Sequence, residues 1–348
     1  MRLKSCDIRG KVLVFGDLHL SSSFSGQHKN YQYECYYNME RIMDLVAKEK
    51  ADAVIFLGDL VGVNEKNIKD RQFLMRTQNF FKVLNQVTKD NVYSVKGNHD
   101  IGDFTDFDFL EGLGYIKNPE YLNYYGRKPG ATKDDGLEIR FHLVNYGDEH
   151  KTLNLTEDTN ICTNIVLGHS DFFIEGVTNW YSAGNDVELA LLNNFKGVPF
   201  VFSGHIHIPS DEILYTNLRD GSSIGLFYLG SPSRVADRYD DCWYLTFEYS
   251  KSDDGEYSTA YDTKFMGLEP ADKVFFPKEE FIDDDSEEAD RVNESAKLTD
   301  IVKEIMDSRI MSGDLNHQID IIPGVRPEVK AIAKDYLEKA SNIGGSLK

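Results

Sequence analysis

A chain of 348 residues with 41% hydrophobic and 12% aromatic content is a folded globular protein, long enough for one large catalytic domain and a smaller appendage. Its net charge of −20 excludes strong autonomous binding to duplex DNA, which needs a basic surface, and removing the eight acidic residues of Glu279–Asp290 still leaves −12. No apolar run approaches about 18 residues, the N-terminal M-R-L-K-S-C-D-I-R-G has no apolar core, and Cys6, Cys35, Cys162 and Cys242 form no C-x-x-C pair; the expectations are no membrane span, no signal peptide, a reducing bacterial cytoplasm and no disulfide framework.

In chain order, the hydrophobic run Lys11–Phe15 ends in G-D-L-H at 16–19. A helix is predicted over Tyr31–Lys50, with Met39, Ile42, Met43 and Val46 at helical spacing. The run Ala53–Leu57 ends in G-D-L at 58–60, a second helix is predicted near Asn67–Thr88, and the run Asn91–Val95 leads into G-N-H-D at 97–100. This β-α-β-α-β opening predicts parallel pairing. Residues 101–135, rich in Gly and aromatics, read as an irregular insertion over the site; Phe104, Phe107 and Phe109 there either stack on a nucleobase or pack on the core.

The second half carries predicted strands at Leu137–Val144 and Ile161–Leu167 (leading into G-H-S at 168–170), a helix near Asp186–Asn194, and strands at Val198–Phe202 (leading into G-H-I-H at 204–207), Ile224–Leu229, Trp243–Tyr249 and Ser258–Lys264. Their alternation suggests a second, mixed sheet packed on the first. Residues 1–250 are thus expected to form the catalytic domain, 251–282 a small cap, 283–297 an acidic linker, and 298–348 a segment with two amphipathic helices, Leu298–Met311 and Pro327–Ala340.

Five blocks therefore follow five strand-like runs, and ends of strands are where α/β folds place ligands. They supply Asp17, His19, Asp59, Asn98, His169, His205 and His207, and they contain five of the nine histidines. One such histidine alone would be an ordinary core or surface residue; five in ordered blocks point to a metal site. Imidazole and carboxylate donors without thiolates suit two divalent transition metals sharing one carboxylate.

The ordered set D-x-H, G-D, G-N-H-[DE], G-H, G-H-x-H resembles the calcineurin-like metallophosphoesterases over about residues 11–250. The resemblance implies a two-sheet sandwich flanked by helices. It implies a first metal held by Asp17, His19, Asp59 and His207, and a second held by Asp59, Asn98, His169 and His205. His99 is left to face the substrate, with Asp100 placed to orient its ring. Two cations about 3.5–4 Å apart lower the pKa of a shared water toward neutrality and offset the phosphate charge; His99 is the expected general acid or electrostatic stabiliser for the departing alkoxide. Manganese is the metal the family implies, with iron, zinc and nickel left open.

Protein serine/threonine phosphatases carry G-D-x-V-D-R-G and G-N-H-E, whereas this chain reads G-D-L-V-G-V-N and ends its third block in Asp100. G-D-L-H-L at 16–20 and Tyr228-Leu229-Gly230-Ser231-Pro232-Ser233, ahead of Trp243-Tyr244, instead resemble the SbcD branch, nuclease subunits of a DNA-repair complex, and their phage recombination-endonuclease relatives. Gly62 stands where that branch carries an Asp or His. The resemblance implies a phosphodiesterase acting on DNA ends with an SbcC-type coiled-coil ATPase, and it leaves a homodimer open. The alternative is a stand-alone phosphoesterase for a small nucleotide or other small phosphoester, which the acidic charge favours. A non-catalytic scaffold is the third reading, set against the intact ligand set.

Overall fold

The computed structural model describes residues 2–21, 31–61, 71–102, 105–125, 137–155, 162–176, 186–233, 242–251 and 257–266. Strands β1 (Ser5–Arg9) and β2 (Val12–Phe15) precede helix α1 (Tyr31–Lys48); β3 (Ala53–Phe56) precedes α2 (Arg71–Thr88) and β4 (Val92–Ser94). A short α3 (Asp106–Gly112) leads to β5 (Tyr121–Tyr125), β6 (Leu137–Val144), β7 (Thr163–His169), β8 (Phe172–Phe173) and β9 (Val187–Glu188). The chain continues through β10 (Phe200–Gly204), β11 (Leu214–Asn217), β12 (Ser223–Tyr228), β13 (Trp243–Lys251) and β14 (Tyr257–Phe265).

The strands form a seven-stranded sheet in the order β1-β5-β6-β7-β10-β12-β11 and a five-stranded sheet in the order β14-β13-β2-β3-β4. Each is mixed: β2, β3 and β4 pair parallel while β13 runs antiparallel to β2. In the larger sheet β6, β7, β10 and β12 pair parallel. The expected α/β sandwich of two sheets is therefore present.

Side-chain alternation along each strand explains the layering. Leu13, Phe15, Val54 and Phe56 point to one face, where they pack with Met39, Ile42 and Val46 of α1 and Phe73, Phe80, Phe81 and Leu84 of α2. Val12, Val14 and Ile55 point to the other face and meet Phe141, Leu143, Ile165, Leu167 and Phe202 of the larger sheet. The outer face of that sheet, with Val166, Val201, Ile224 and Tyr228, is covered by Phe172, Leu189, Leu192 and Phe195. Each buried aromatic contributes roughly 1.5–3 kcal/mol, so these three clusters provide the rigidity on which the loops between them depend.

The structure corrects three expectations and resolves one open alternative. The predicted helix at 186–194 is absent; β9 is followed by two 3₁₀ turns, Leu189–Leu191 and Asn193–Phe195. Its buried residues, Leu189, Leu192 and Phe195, recur every third position, which suits three residues per turn better than 3.6. Residues 101–135 are not simply an irregular insertion: Thr105 caps α3 by accepting a hydrogen bond from the Asp108 amide, and β5 pairs with both β1 and β6. Phe107 is fully buried and so packs on the core, while Phe104 lies outside the described residues. Finally, β14 pairs along the length of β13, so residues 257–265 extend the catalytic sheet instead of forming a cap. The rest of 267–282, the acidic linker and the two C-terminal helices lie outside the described residues.

No helix among the described residues is long and apolar enough to cross a membrane. No disulfide joins Cys6, Cys35, Cys162 and Cys242, the last three of which are buried; burial pushes the Cys35 thiol up to about 12.

Candidate metal centre

The five blocks come from both sheets: three follow β2, β3 and β4, and two follow β7 and β10. The strand ends expected to carry the ligands thus belong to two sheets, and the centre lies at the junction where their C-terminal ends meet. Asp17 ties the sheets together, its Oδ2 accepting a 2.8 Å hydrogen bond from the His205 amide. The ligand atoms of Asp17, His19 and His207 lie within 4.8 Å of one another, as do those of Asp59, His169 and His205. A third such group, His19, Asp59 and His99, joins the first two.

The backbone is bent to bring these groups together. Six non-glycine residues have positive φ among the described residues; Lys50, Lys89 and Asp90 follow helix ends, and the others are His19 (46°), Asp59 (44°) and His205 (79°). A non-glycine residue held there costs on the order of 1–3 kcal/mol and persists where the surroundings fix it. The glycines of the blocks permit close approach: a Cβ on Gly97 would lie 2.0 Å from Asp59 Oδ1, and one on Gly204 would lie 2.1 Å from Asp17 Oδ1.

The donor set fits two cations. Around the second position, His169 Nδ1 donates to the Leu57 carbonyl at 2.7 Å, so its Nε2 presents a lone pair inward. That atom lies 3.0 Å from Asn98 Oδ1 and 3.1 Å from His205 Nδ1, and Asn98 Oδ1 is itself 3.0 Å from His205 Nδ1. Acceptors facing one another at this range need a proton or a cation between them. In the protein alone a proton takes that place: burial would lower the His169 pKa, but Asp59 and Asp17 outweigh it and hold it well above the ordinary value. Around the first position, His19 Nε2 and His207 Nε2 are 2.9 Å apart. Burial pushes His19 down to about 3 despite Asp59, and it lowers His207 as well, so both rings are neutral at pH 7. Among the described residues the buried Asp17 Oδ1 has no hydrogen-bond donor, although His169 Nδ1 passes at 3.3 Å.

Asp59 stands between the two sets. Its Oδ2 is 3.6 Å from His19 Nε2 and 3.3 Å from His169 Nε2, while its Oδ1 accepts from the His99 amide at 2.9 Å. Burial opposes ionisation, yet His169, His19 and His99 hold this carboxyl well below its ordinary range. The His99 ring sits edge-on to His19 with centroids 5.3 Å apart. Asn98, His99, His205 and His207 are the partly exposed members, so a substrate reaches the centre from their side.

Asp100 departs from its expected role. Its Oδ2 accepts from the Gly97 amide at 3.0 Å and the Leu60 amide at 3.4 Å, and no hydrogen bond to the His99 ring is present among the described residues. Burial, reinforced by Asp59, pushes the Asp100 carboxyl well above its ordinary range, and the group serves as an anchor of the 97–100 loop. The carboxylate that does orient a ring is Asp171, whose Oδ1 lies 3.0 Å from His205 Nε2 and leaves Nδ1 to face the centre. Its signal was its place two residues after His169 in G-H-S-D. Asp171→Asn should lower affinity for the second metal about 10–100-fold, read by competition against a fluorescent chelator; unchanged affinity would remove Asp171 from this role. The Tyr228–Ser233 element also supports the centre structurally. Its Ser231 and Ser233 hydroxyls donate to the carbonyls of Asp17 (2.8 Å) and Leu18 (2.7 Å), bracing the first loop. Gly62 lies outside the described residues.

The sequence profile of the calcineurin-like phosphoesterases matches residues 10–209, more than half of the chain. The chain belongs to this family. Phosphoester hydrolysis by a metal centre is the activity that membership brings, and the Asp/His clusters fit two divalent ions. No curated protein sequence matches the chain significantly. Among solved structures it is similar to a dimetal phosphatase from Danio rerio, at 10% identity with a TM-score of 0.41, covering 75% of this chain and 99% of that one. It is also similar to a protein from Thermus thermophilus, at 12% identity with a TM-score of 0.39, covering 72% and 98%. A metallophosphoesterase from Sphaerobacter thermophilus gives 14% identity and a TM-score of 0.32, covering 75% and 89%.

Proposed function

We propose that this member of the family is a two-metal phosphodiesterase of the SbcD type, acting on DNA ends together with a coiled-coil ATPase. The observation that carries phosphoester cleavage is the Asp59 carboxylate, set between two imidazole clusters with His99 beside it. Asp17, His19, Asp59 and His207 would hold one ion and Asp59, Asn98, His169 and His205 the other, in a site that manganese suits. When bound, the ions supply an ionised water as nucleophile at neutral pH and offset the charge on the phosphate oxygens. Asp171 keeps the His205 ring in one tautomer, and Asp59 holds the His99 backbone through its amide. His99 then delivers a proton to the departing alkoxide, or stabilises its charge if the proton comes later.

The DNA-end assignment is supported by the Y-L-G-S-P-S element and by G-D-L-H-L. The net charge of −20 favours the second reading, a stand-alone enzyme for a small phosphoester, unless a partner subunit supplies the basic surface. The two readings separate when purified chain with manganese is given linear DNA or a chromogenic phosphodiester, with and without a coiled-coil ATPase from the native host. DNA cleavage that depends on the ATPase supports the first; efficient turnover of small esters with no co-purifying ATPase supports the second.

The apolar stripes Leu298, Ile301, Val302, Ile305 and Val329, Ile332, Ala333, Tyr336 follow helical spacing. Helices of about 14 residues are marginal alone in water, so each stripe must be covered, and the proposed cover is the ATPase. A chain ending near Asp283 should keep metal-dependent hydrolysis of a small ester and lose capture of the ATPase. Unfolding of the shortened chain, or unchanged capture, would assign the stripes to packing within this protein.

A further inference from the structure

The loop after β6 carries none of the five metal blocks, yet it reaches the metal centre. Tyr146 in N-Y-G-D-E (145–149) is partly exposed, with its ring centroid 5.5 Å from that of His205 at a 44° tilt and 6.3 Å from that of His169. The loop is clamped to two of the four strand ends that bear second-metal ligands, those of β4 and β7. On one side the Tyr146 amide donates to the Lys96 carbonyl at 2.9 Å, and the Lys96 amide donates to Asn145 Oδ1 at 2.8 Å, just before Gly97-Asn98. On the other, the buried Glu149 Oε1 accepts from the Ser170 hydroxyl at 2.6 Å, just after His169, and from the Gly147 amide at 2.9 Å. An aromatic ring is thus fixed beside the partly exposed edge of the centre instead of being withdrawn into the core.

We propose that Tyr146 is a stacking platform for the nucleoside that remains on phosphorus, which makes it a specificity-determining residue; this rests on the phosphodiesterase reading above. His99 flanks His19 of the first set, whereas Tyr146 flanks His205 and His169 of the second. A phosphodiester lying across both sets places one substituent against each flank. With His99 at the leaving oxygen, the substituent on the Tyr146 flank is the one retained. Its partner is a planar base, and because every base has a π-face, such a contact is tolerant of sequence. That tolerance suits an enzyme working inward from DNA ends of any sequence.

The test compares Tyr146→Phe, Tyr146→Leu and Tyr146→Ala on two manganese-dependent substrates that release the same nitrophenol: thymidine 5′-(4-nitrophenyl phosphate) and methyl 4-nitrophenyl phosphate. Binding of thymidine 5′-monophosphate and of methyl phosphate is measured by calorimetry, and metal content by elemental analysis. Tyr146→Phe should match the wild type. The Leu and Ala variants should raise KM for the thymidine ester and weaken thymidine monophosphate binding by roughly tenfold, the scale of losing one base–aromatic stack, with kcat, metal content and the methyl ester unchanged. Equal losses on both esters, or loss of metal, would make Tyr146 a prop for His205 and overturn the inference. A wild type that shows no preference for the thymidine ester overturns it while leaving the phosphodiesterase reading intact. A wild type that cleaves neither ester overturns both.

Discussion

Asp59→Asn should lose more than one metal equivalent and nearly all hydrolytic activity while remaining folded. Asparagine has the same shape and keeps an oxygen for the His99 amide, so the 97–100 loop retains its anchor. What changes is the atom between His19 and His169: a carboxylate oxygen 3.6 Å and 3.3 Å from the two rings becomes an uncharged group. Both proposed ion positions lose charge from one substitution, which no other residue in the centre would cause. His19→Ala should disturb mainly the first position. Elemental analysis decides between these outcomes, and an Asp59→Asn protein with two metals and wild-type turnover would refute the shared carboxylate.

His99→Ala should keep both metals and the fold while turnover falls about 100-fold or more, the scale of losing a general acid. Its backbone amide, the group bonded to Asp59, survives the substitution. The loss should be smaller for a nitrophenyl ester, whose leaving group departs without a proton. The ring lies within ligand range of His19 and Asp59, so a competing role in shaping the first ion site has a distinct signature. Equal losses on good and poor leaving groups, accompanied by loss of metal, would assign His99 to the ligand set.

The ligand set was legible because parallel strands buried on both faces read as unbroken hydrophobic runs, and each run stops where a glycine allows close approach. Val12–Phe15 and Ala53–Phe56 are buried at every position, so nothing in them is ambiguous. Strand β1 was missed because its residues are mostly exposed and alternate in burial. Strand β5 was missed because its five residues, Y-L-N-Y-Y, sit among turn residues and gain their identity from β1 and β6. The supporting carboxylates show the same limit. Asp100 looked like a partner for the adjacent His99, but the turn directs it to the amides of Gly97 and Leu60. Asp171 and Glu149 act on residues reached through tertiary contacts, 34 and 21 positions away along the chain (171 to 205, and 149 to 170). Asp171 is marked by its place in G-H-S-D, but neither separation leaves a local pattern that names the residue acted on.

A pair of ion positions joined by Asp59 is tested most directly by a metal count coupled to activity. Chain stripped by a chelator is titrated with manganese at pH 8, with bound metal, released protons and hydrolysis of bis(4-nitrophenyl) phosphate followed together. Two ions should bind per chain, protons should be released as the His169 ring gives way to metal, and hydrolysis should reach its maximum only as the second ion binds. Full activity with one ion or none would contradict a centre built on two ions and a shared carboxylate.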